Sequence, residues 1–239
     1  MSLNTLFSIQ ALTTMDTEEL IRKCKAITIR EEDKGRITLE VNLKNKKEQM
    51  MAGCLVGKVL FTKGVNKEGL KAVLQQVWRT FKEVKIESVG NNIFMFKYVE
   101  EADKKRVLKG EPWHFDTVLI VLAEPRGIGE VAKQSFTHTS FWVQIRNVLL
   151  ACMDKEFLQD LGRKIGSVEE VQIDDNGDCI GEFARIRVSI NITQSLEKIL
   201  FLKQEGETDI LMPVVYERLP NFCYCCGVIG HQYKECGKY

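Results

Sequence analysis

The sequence predicts an α+β protein: two small α/β units in series, closed by a short cysteine-rich tail. Three observations predict it. Between residues 51 and 125, strand-like and helix-like stretches follow one another in the order β-α-β-β-α-β. A looser version of that order restarts beyond residues 124–134, a stretch broken by Pro125, Gly127 and Gly129. The C-terminal residues hold Cys223, Cys226, His231 and Cys236 at the spacing C-x2-C-x4-H-x4-C.

Residues 1–50 form an N-terminal extension. The first part carries little patterning, and Asp16 with Glu19 reads as a capping box for a helix running to about residue 26. RITLEVNL (36–43) alternates apolar and polar residues and predicts a strand, followed by a lysine-rich connector over 44–49. The first full unit, 51–125, then begins with a strand at CLVGKVLF (54–61). A helix over 66–79 follows, with Leu70, Val73, Leu74, Val77 and Trp78 on one apolar stripe. Two strands, 84–89 and 93–99, meet at the turn Gly90-Asn91-Asn92. A helix over 101–109 ends at Gly110, and DTVLIVLA (116–123) supplies the fourth strand. This order is the ferredoxin-like arrangement shared by RNA-recognition-motif domains, with Trp113 and Phe115 placed to close the core beneath the second helix.

The second unit, 134–220, repeats the order less completely. FWVQIRNVL (141–149) predicts a strand, and Asp154 opens a helix over 154–165. A strand at 168–173, a turn at 174–177 and a strand at 183–192 follow. No second helix comes next; 198–203 and 210–217 predict two strands, one hairpin around Gly206. Arg218, Leu219 and Pro220 tether this unit to the tail, 221–237.

RNA-recognition motifs stack bases on outward aromatics of their first and third strands, the third carrying the octamer K/R-G-F/Y-G/A-F-V-x-F/Y. Laid on residues 91–98, that octamer puts Ile93 and Met95 outward and turns Phe94 and Phe96 toward the helices. The first strand offers Leu55, Val56 and Gly57, with no aromatic. The first sheet therefore lacks a stacking platform and suits contact with protein, either the second unit or another copy.

The tail is a different matter. Three thiolates and an imidazole at this spacing are a ligand set for one structural Zn2+ ion, tetrahedral and closed to water. So short a segment has too little apolar surface to fold without that metal. Gly227 and Gly230 lie where the chain must wrap closely round the ion. Cys225 is a spare thiol inside the motif and an alternative ligand, although the intact spacing favours Cys223 and Cys226. This is a CCHC zinc knuckle, a module that commonly holds single-stranded nucleic acid.

Composition bounds the rest. Among 239 residues, 44% are hydrophobic and 28% charged, the balance of a folded domain protein. Formal net charge is +1, so binding by bulk phosphate neutralisation is disfavoured. Positive charge concentrates over 42–72, at Lys44, Lys46, Lys47, Lys58, Lys63, Lys67 and Lys71, which form either a solvated face or a phosphate track. Eight cysteines beside a zinc site imply a reducing, intracellular setting, nucleus or cytoplasm. Neither a signal peptide nor a membrane span is legible. With three histidines, one of them claimed by metal, little is left for acid–base catalysis; His114 with Asp116, and His138 near Ser135 and Ser140, are the suggestive neighbours.

Several segments together carry a family resemblance: CLVGKVL (54–60), NNIFMFKYV (91–99), RVLKGEPWHFD (106–116), FWVQI (141–145) and YERLPNFCYCCGVIGH (216–231). They resemble a plant family in which a domain of unknown function, common in retrotransposon-derived and gag-like proteins, precedes a CCHC knuckle. Such proteins are similar to the first reading frame of LINE-type elements, whose product coats RNA. The resemblance implies nucleic-acid binding without catalysis. The tail is also similar to retroviral nucleocapsid knuckles, where an aromatic after the first cysteine and an apolar residue two after the histidine hold an unpaired base. Here those places are Tyr224 and Tyr233, flanked by Gln232 and Lys234.

The expected function is zinc-dependent binding of single-stranded nucleic acid, RNA in preference to DNA. Tyr224, Gln232, Tyr233 and Lys234 are the contacts and Cys223, Cys226, His231 and Cys236 the ligands. No enzyme activity, membrane or small-molecule substrate is expected. The tyrosines have a plainer alternative, packing on the zinc turn. The protein as a whole has one too: a protein-interaction or assembly module, with self-association, whose knuckle docks on a protein.

Overall fold

The computed structural model describes residues 17–26, 38–61, 63–126, 134–174, 177, 179, 181–203, 206 and 208–238. Residues Met1–Glu40 form one compact body, and Val41–Tyr239, which holds both α/β units, forms another. In the first, α1 spans Thr17–Ala26, with Glu18 and Glu19 at its positive N-terminal end. The predicted cap Asp16 and most of residues 124–134 fall outside the described residues.

The expected strand over 36–43 is not formed among the described residues. Residues 38–40 have no regular structure, and α2 runs Val41–Ala52 through the supposed connector. Its Lys, Glu, Gln and Met residues are good helix formers, and Lys44 and Glu48, one turn apart, pair at 3.9 Å. Propensity over this longer stretch outweighs a short alternating pattern.

The first sheet follows. Strand β1 is Cys54–Val59, α3 Lys67–Trp78, β2 Lys85–Gly90, β3 Ile93–Lys97 and α4 Glu101–Lys109. A short β4, Trp113–Phe115, and β5, Val118–Ala123, complete it. The sheet is antiparallel in the order β2-β3-β1-β5-β4. Without the small edge strand β4, this is the ferredoxin-like order. Asn66 opens α3 by accepting from the N–H groups of Glu68 and Gly69. The inward face packs Leu55, Val59, Leu70, Leu74, Trp78, Phe94 and Phe96. Phe94 and Phe96 are buried while Ile93 and Met95 are half-buried on the other face, so β3 presents no aromatic outward.

The second sheet is built alike. Strand β6 is His138–Arg146, α5 Lys155–Ile165, β7 Ser167–Val171, β8 Phe183–Asn191, β9 Ile199–Leu202 and β10 Ile210–Tyr216. Its order, β7-β8-β6-β10-β9, reproduces the first position for position, and it too is antiparallel. Asp154 caps α5 by accepting from Phe157 N–H at 2.9 Å. A Cβ on Gly162 would stand 2.6 Å from Val168, so this glycine lets α5 lie close on its sheet.

One helix is missing from the repeat. Where the first unit has α4 between its third strand and the edge hairpin, the second has an irregular stretch, 192–198, that buries Ile192 and Leu196. The core there is completed by Ile229, from the tail. The same core takes in Leu119 and Val121, on the outward face of β5. The outward face of β5 and the tail thus pack into the core of the second sheet, while the helix-covered face of the first sheet keeps a core of its own. Among the described residues no helix is long and apolar enough to cross a membrane.

Candidate metal centre and nucleic-acid interface

The tail folds back as a miniature hairpin. Phe222 bridges Ile229, Cys223 N–H donates to Val228 O at 2.9 Å, and Gly227 N–H to Cys223 O at 2.7 Å. Gly227 and Gly230 have φ of 74° and 100°, a region other residues resist. This winding brings one donor atom each from Cys223, Cys226, His231 and Cys236 within 4.8 Å of one another. The Cys226 Sγ lies 3.4 Å from His231 Nε2. Tetrahedral zinc, with bonds of about 2.3 Å to sulfur and 2.0 Å to nitrogen, needs S···N edges of about 3.5 Å and S···S edges of about 3.8 Å. The donor set fits that ion.

The surroundings favour thiolate at Cys223. Cys223 is fully buried, and burial alone would hold its proton. Backbone N–H groups of Cys226 and Cys225 bond the sulfur and outweigh burial, drawing the thiol down to about 7. Cys225 itself is exposed and stands outside the donor group. Bound zinc would fix the turn; with four protein ligands it has no open position for water or substrate.

Around this centre the expected contact residues divide. Tyr224 is 78% exposed and leans on Phe222, ring centroids 4.6 Å apart. Tyr233 is 45% exposed, with the Lys234 ammonium 6.0 Å from its ring centroid. Both tyrosines show ring surface to solvent, and Tyr233 does so beside a cation. Gln232 is engaged differently. Its side chain caps the 3-10 turn Tyr233–Glu235, while Glu235 turns back to the Gln232 N–H at 3.3 Å. Gln232 thus shapes the turn that presents Tyr233, and its amide oxygen is committed to that cap.

The knuckle is docked, not dangling. Leu196 N–H donates to Gly227 O at 2.9 Å and Ser195 Oγ to Cys226 O at 2.7 Å. Asn221 bonds Thr117 through both backbone and side chain, the latter at 2.8 Å. The tail thus contacts both sheets. Sequence reasoning missed this docking; an apolar Val228-Ile229 pair in a metal loop was the available signal.

Of the groups considered for catalysis, Ser135, His138 and Ser140 have other engagements. Ser140 Oγ donates to Glu169 at 2.7 Å. His138 Nδ1 meets Thr137 Oγ1 at 2.9 Å, and that hydroxyl meets Ser135 Oγ at the same distance. His114 is held below its ordinary pKa by burial and then by the Arg218 charge, and its Nε2 is buried without a partner.

These features define a metal-knuckle protein carried on paired ferredoxin-like units. Comparison with known families agrees in arrangement. A domain of unknown function (DUF4283) matches residues 51–124, and a zinc knuckle family matches residues 190–238. The chain therefore carries that domain followed by a zinc knuckle. The start of the second match, inside β8, fits a knuckle that is packed on the second sheet. No curated protein matches the chain. Among solved structures, the N-terminal three RNA binding domains of the yeast splicing factor Prp24 align at 14% identity and a TM-score of 0.26, over 70% of this chain and 66% of that one. The alignment thus spans just under two thirds of that chain's length. The first two RRM domains of yeast poly(U) binding protein (Pub1) align at 13% identity and a TM-score of 0.24, over 69% of this chain and 98% of that one. With TM-scores this low, the fold assignment stays with the strand order itself.

Proposed function

We propose that this protein binds single-stranded nucleic acid, RNA in preference to DNA, through its zinc knuckle, acts without catalysis, and descends from a plant retrotransposon. The observation that carries the binding is the pairing of a closed Cys3His donor set with two solvent-facing tyrosines, Tyr224 between the first two ligands and Tyr233 with Lys234 on the turn before the last. A base stacked on an aromatic contributes about 1–3 kcal/mol, enough for modest affinity at near-neutral net charge. The origin rests on the shared segments quoted above, and the absence of catalysis on the engaged state of Ser140 and His138.

The test is fluorescence anisotropy of a labelled single strand titrated with zinc-loaded protein, repeated with chelator and with Tyr224→Ala plus Tyr233→Ala. Binding that falls at least tenfold in both cases supports the reading. Affinity unchanged by the double substitution, with zinc retained, rejects the stacking mechanism. A second reading, an assembly module, is favoured by β9, an edge strand among the described residues, where Ile199 and Phe201 are exposed beside Leu211 of β10. Concentration-dependent oligomers indifferent to added RNA would favour it.

A further inference from the structure

The lysine-rich stretch of the sequence is split up by the fold. Lys44 pairs with Glu48 at 3.9 Å and Lys71 with Glu83 at 3.1 Å, both away from the knuckle. Lys58 and Lys63 differ: neither has an ion-pair partner among the described residues. They flank Phe61, which follows β1 and is 42% exposed. That position is fixed. Asn92 donates to the carbonyls of Phe61 and Lys63, both at 2.8 Å, and accepts from Val65 N–H at 2.9 Å. This half-open aromatic ring shares a cleft with Lys58 and takes no part in the core of the first sheet.

Two clefts meet at this ring. One, of about 250 Å3, runs from Phe61 to Gln232 and Glu235, the turn that presents Tyr233. The other, of about 760 Å3, continues past Phe61 along Lys58, Gln134, Thr137 and Thr193 to Gly230. Among the described residues Lys58 is the sole charged side chain lining the larger cleft, whose other polar groups are hydroxyls and an amide. The one carboxylate in the smaller cleft, Glu235, is engaged with Gln232 N–H at 3.3 Å. Aromatic surface, cation and neutral hydrogen-bonding groups in sequence suit the base, phosphate and sugar of a single strand.

We propose that the nucleic-acid site extends beyond the knuckle, through these two clefts, with Phe61 stacking a further base and Lys58 meeting a phosphate. This rests on the knuckle's binding a single strand and adds the first unit as a second contact. The knuckle's docking makes the extension possible, because a freely tethered knuckle would hold no fixed direction toward Phe61.

The experiment uses the full chain, zinc-loaded, with labelled single strands of about four and about twelve nucleotides. Phe61→Ala should weaken the longer strand about tenfold and leave the shorter one, held by the knuckle, within about twofold. Lys58→Gln should lower the slope of log affinity against log salt by about 0.7 for the longer strand. Circular dichroism and zinc content establish that each variant is folded. If Tyr224→Ala weakens both strands while Phe61→Ala and Lys58→Gln weaken neither, the extension is wrong and the knuckle reading stands. Failure of the unaltered chain to bind either strand overturns both.

Discussion

Arg218 lies over the ring of Trp113, its guanidinium carbon 5.2 Å from the ring centroid. The same guanidinium donates to Gly110 O at 2.9 Å and to Pro112 O. A Cβ on Gly110 would stand 2.4 Å from the Trp113 ring, so the glycine leaves room for the indole to fold under α4, where its Nε1 donates to Val107 O at 2.7 Å. Arg187, from β8, reaches Leu108 O at 3.3 Å on the same turn. Two arginines beyond residue 180 therefore clamp one turn of the first unit. Arg218→Ala should cost about 1–3 kcal/mol by losing a cation–π contact and two charge-assisted bonds. In a body of this size that lowers the thermal midpoint by about 3–10 °C. Arg218→Lys should recover only part, since an ammonium cannot span both carbonyls in a planar fork. Thermal unfolding of the three proteins decides it.

That clamp explains which parts of the sequence were legible. G-E-P-W and Y-E-R-L-P stand far apart in the chain, yet Arg218 of one holds Gly110 and Trp113 of the other. Gln144, of F-W-V-Q, donates to Glu217 at 2.9 Å, and Glu217 also holds Arg185 through both oxygens, at 2.7 and 2.8 Å. Two of the segments that carry the resemblance, G-E-P-W and Y-E-R-L-P, thus meet at the joint between the sheets, and F-W-V-Q reaches the second of them within the second sheet. The strands were readable because each alternates within its own few residues. The metal ligands were readable because coordination fixes spacing. The docking of Ile229 and the placing of Phe61 were not, since both depend on contacts set by strand order. The 41–52 helix was missed because four alternating pairs imitate a strand, whereas its stability comes from residues further on.

Glu111 gives the protein a pH dependence. Its side chain is buried at the joint with Oε1 unpartnered, accepting a long bond, 3.4 Å, from Ser140 N–H. Burial drives its pKa up from 4.5 to about 7, against the backbone bond from Ser140 and the Arg187 charge, with the Glu169 charge adding to the rise. Below about pH 4.5 the carboxyl is neutral in both folded and unfolded chains, and the group costs nothing. From there to about 7 the unfolded chain ionises first, so stability falls as pH rises, by about 3 kcal/mol in full. Glu111→Gln abolishes that ionisation. Urea unfolding at pH 5 and pH 7.5 should show the variant gaining on the unaltered protein at the higher pH; a constant difference would exclude Glu111 as the source.

Cys225 is the natural control for the metal centre. Exposed and outside the donor group, it should be dispensable: Cys225→Ser retains one equivalent of zinc. Cys236→Ser, which removes a buried ligand, should lose most of the affinity. Cobalt substitution makes the difference visible. The visible absorption of a tetrahedral cobalt site with three thiolates should survive in the first variant and weaken or change in the second. Loss of that spectrum in Cys225→Ser would mean that this thiol belongs to the ligand set.

Metal removal should reach well beyond the knuckle. Ile229 is 5% exposed, in a core with Leu196, Leu200, Met212 and Tyr216, on the side where the second unit has no counterpart of α4. Without zinc the hairpin over 222–229 loses the force that winds it, since so short a segment cannot hold itself closed. Ile229 would then leave the core, and Leu196 N–H would lose its acceptor, Gly227 O. Chelation is therefore expected to raise amide exchange at Leu196 and through β9 and β10, while β1–β3 stay protected. Ile229→Ala, with zinc still bound, should cost about 2–4 kcal/mol by the cavity it leaves. Hydrogen exchange with and without chelator separates this from a tethered appendage: were the knuckle merely tethered, the change would stop at residue 221, and the second sheet would exchange as slowly as before.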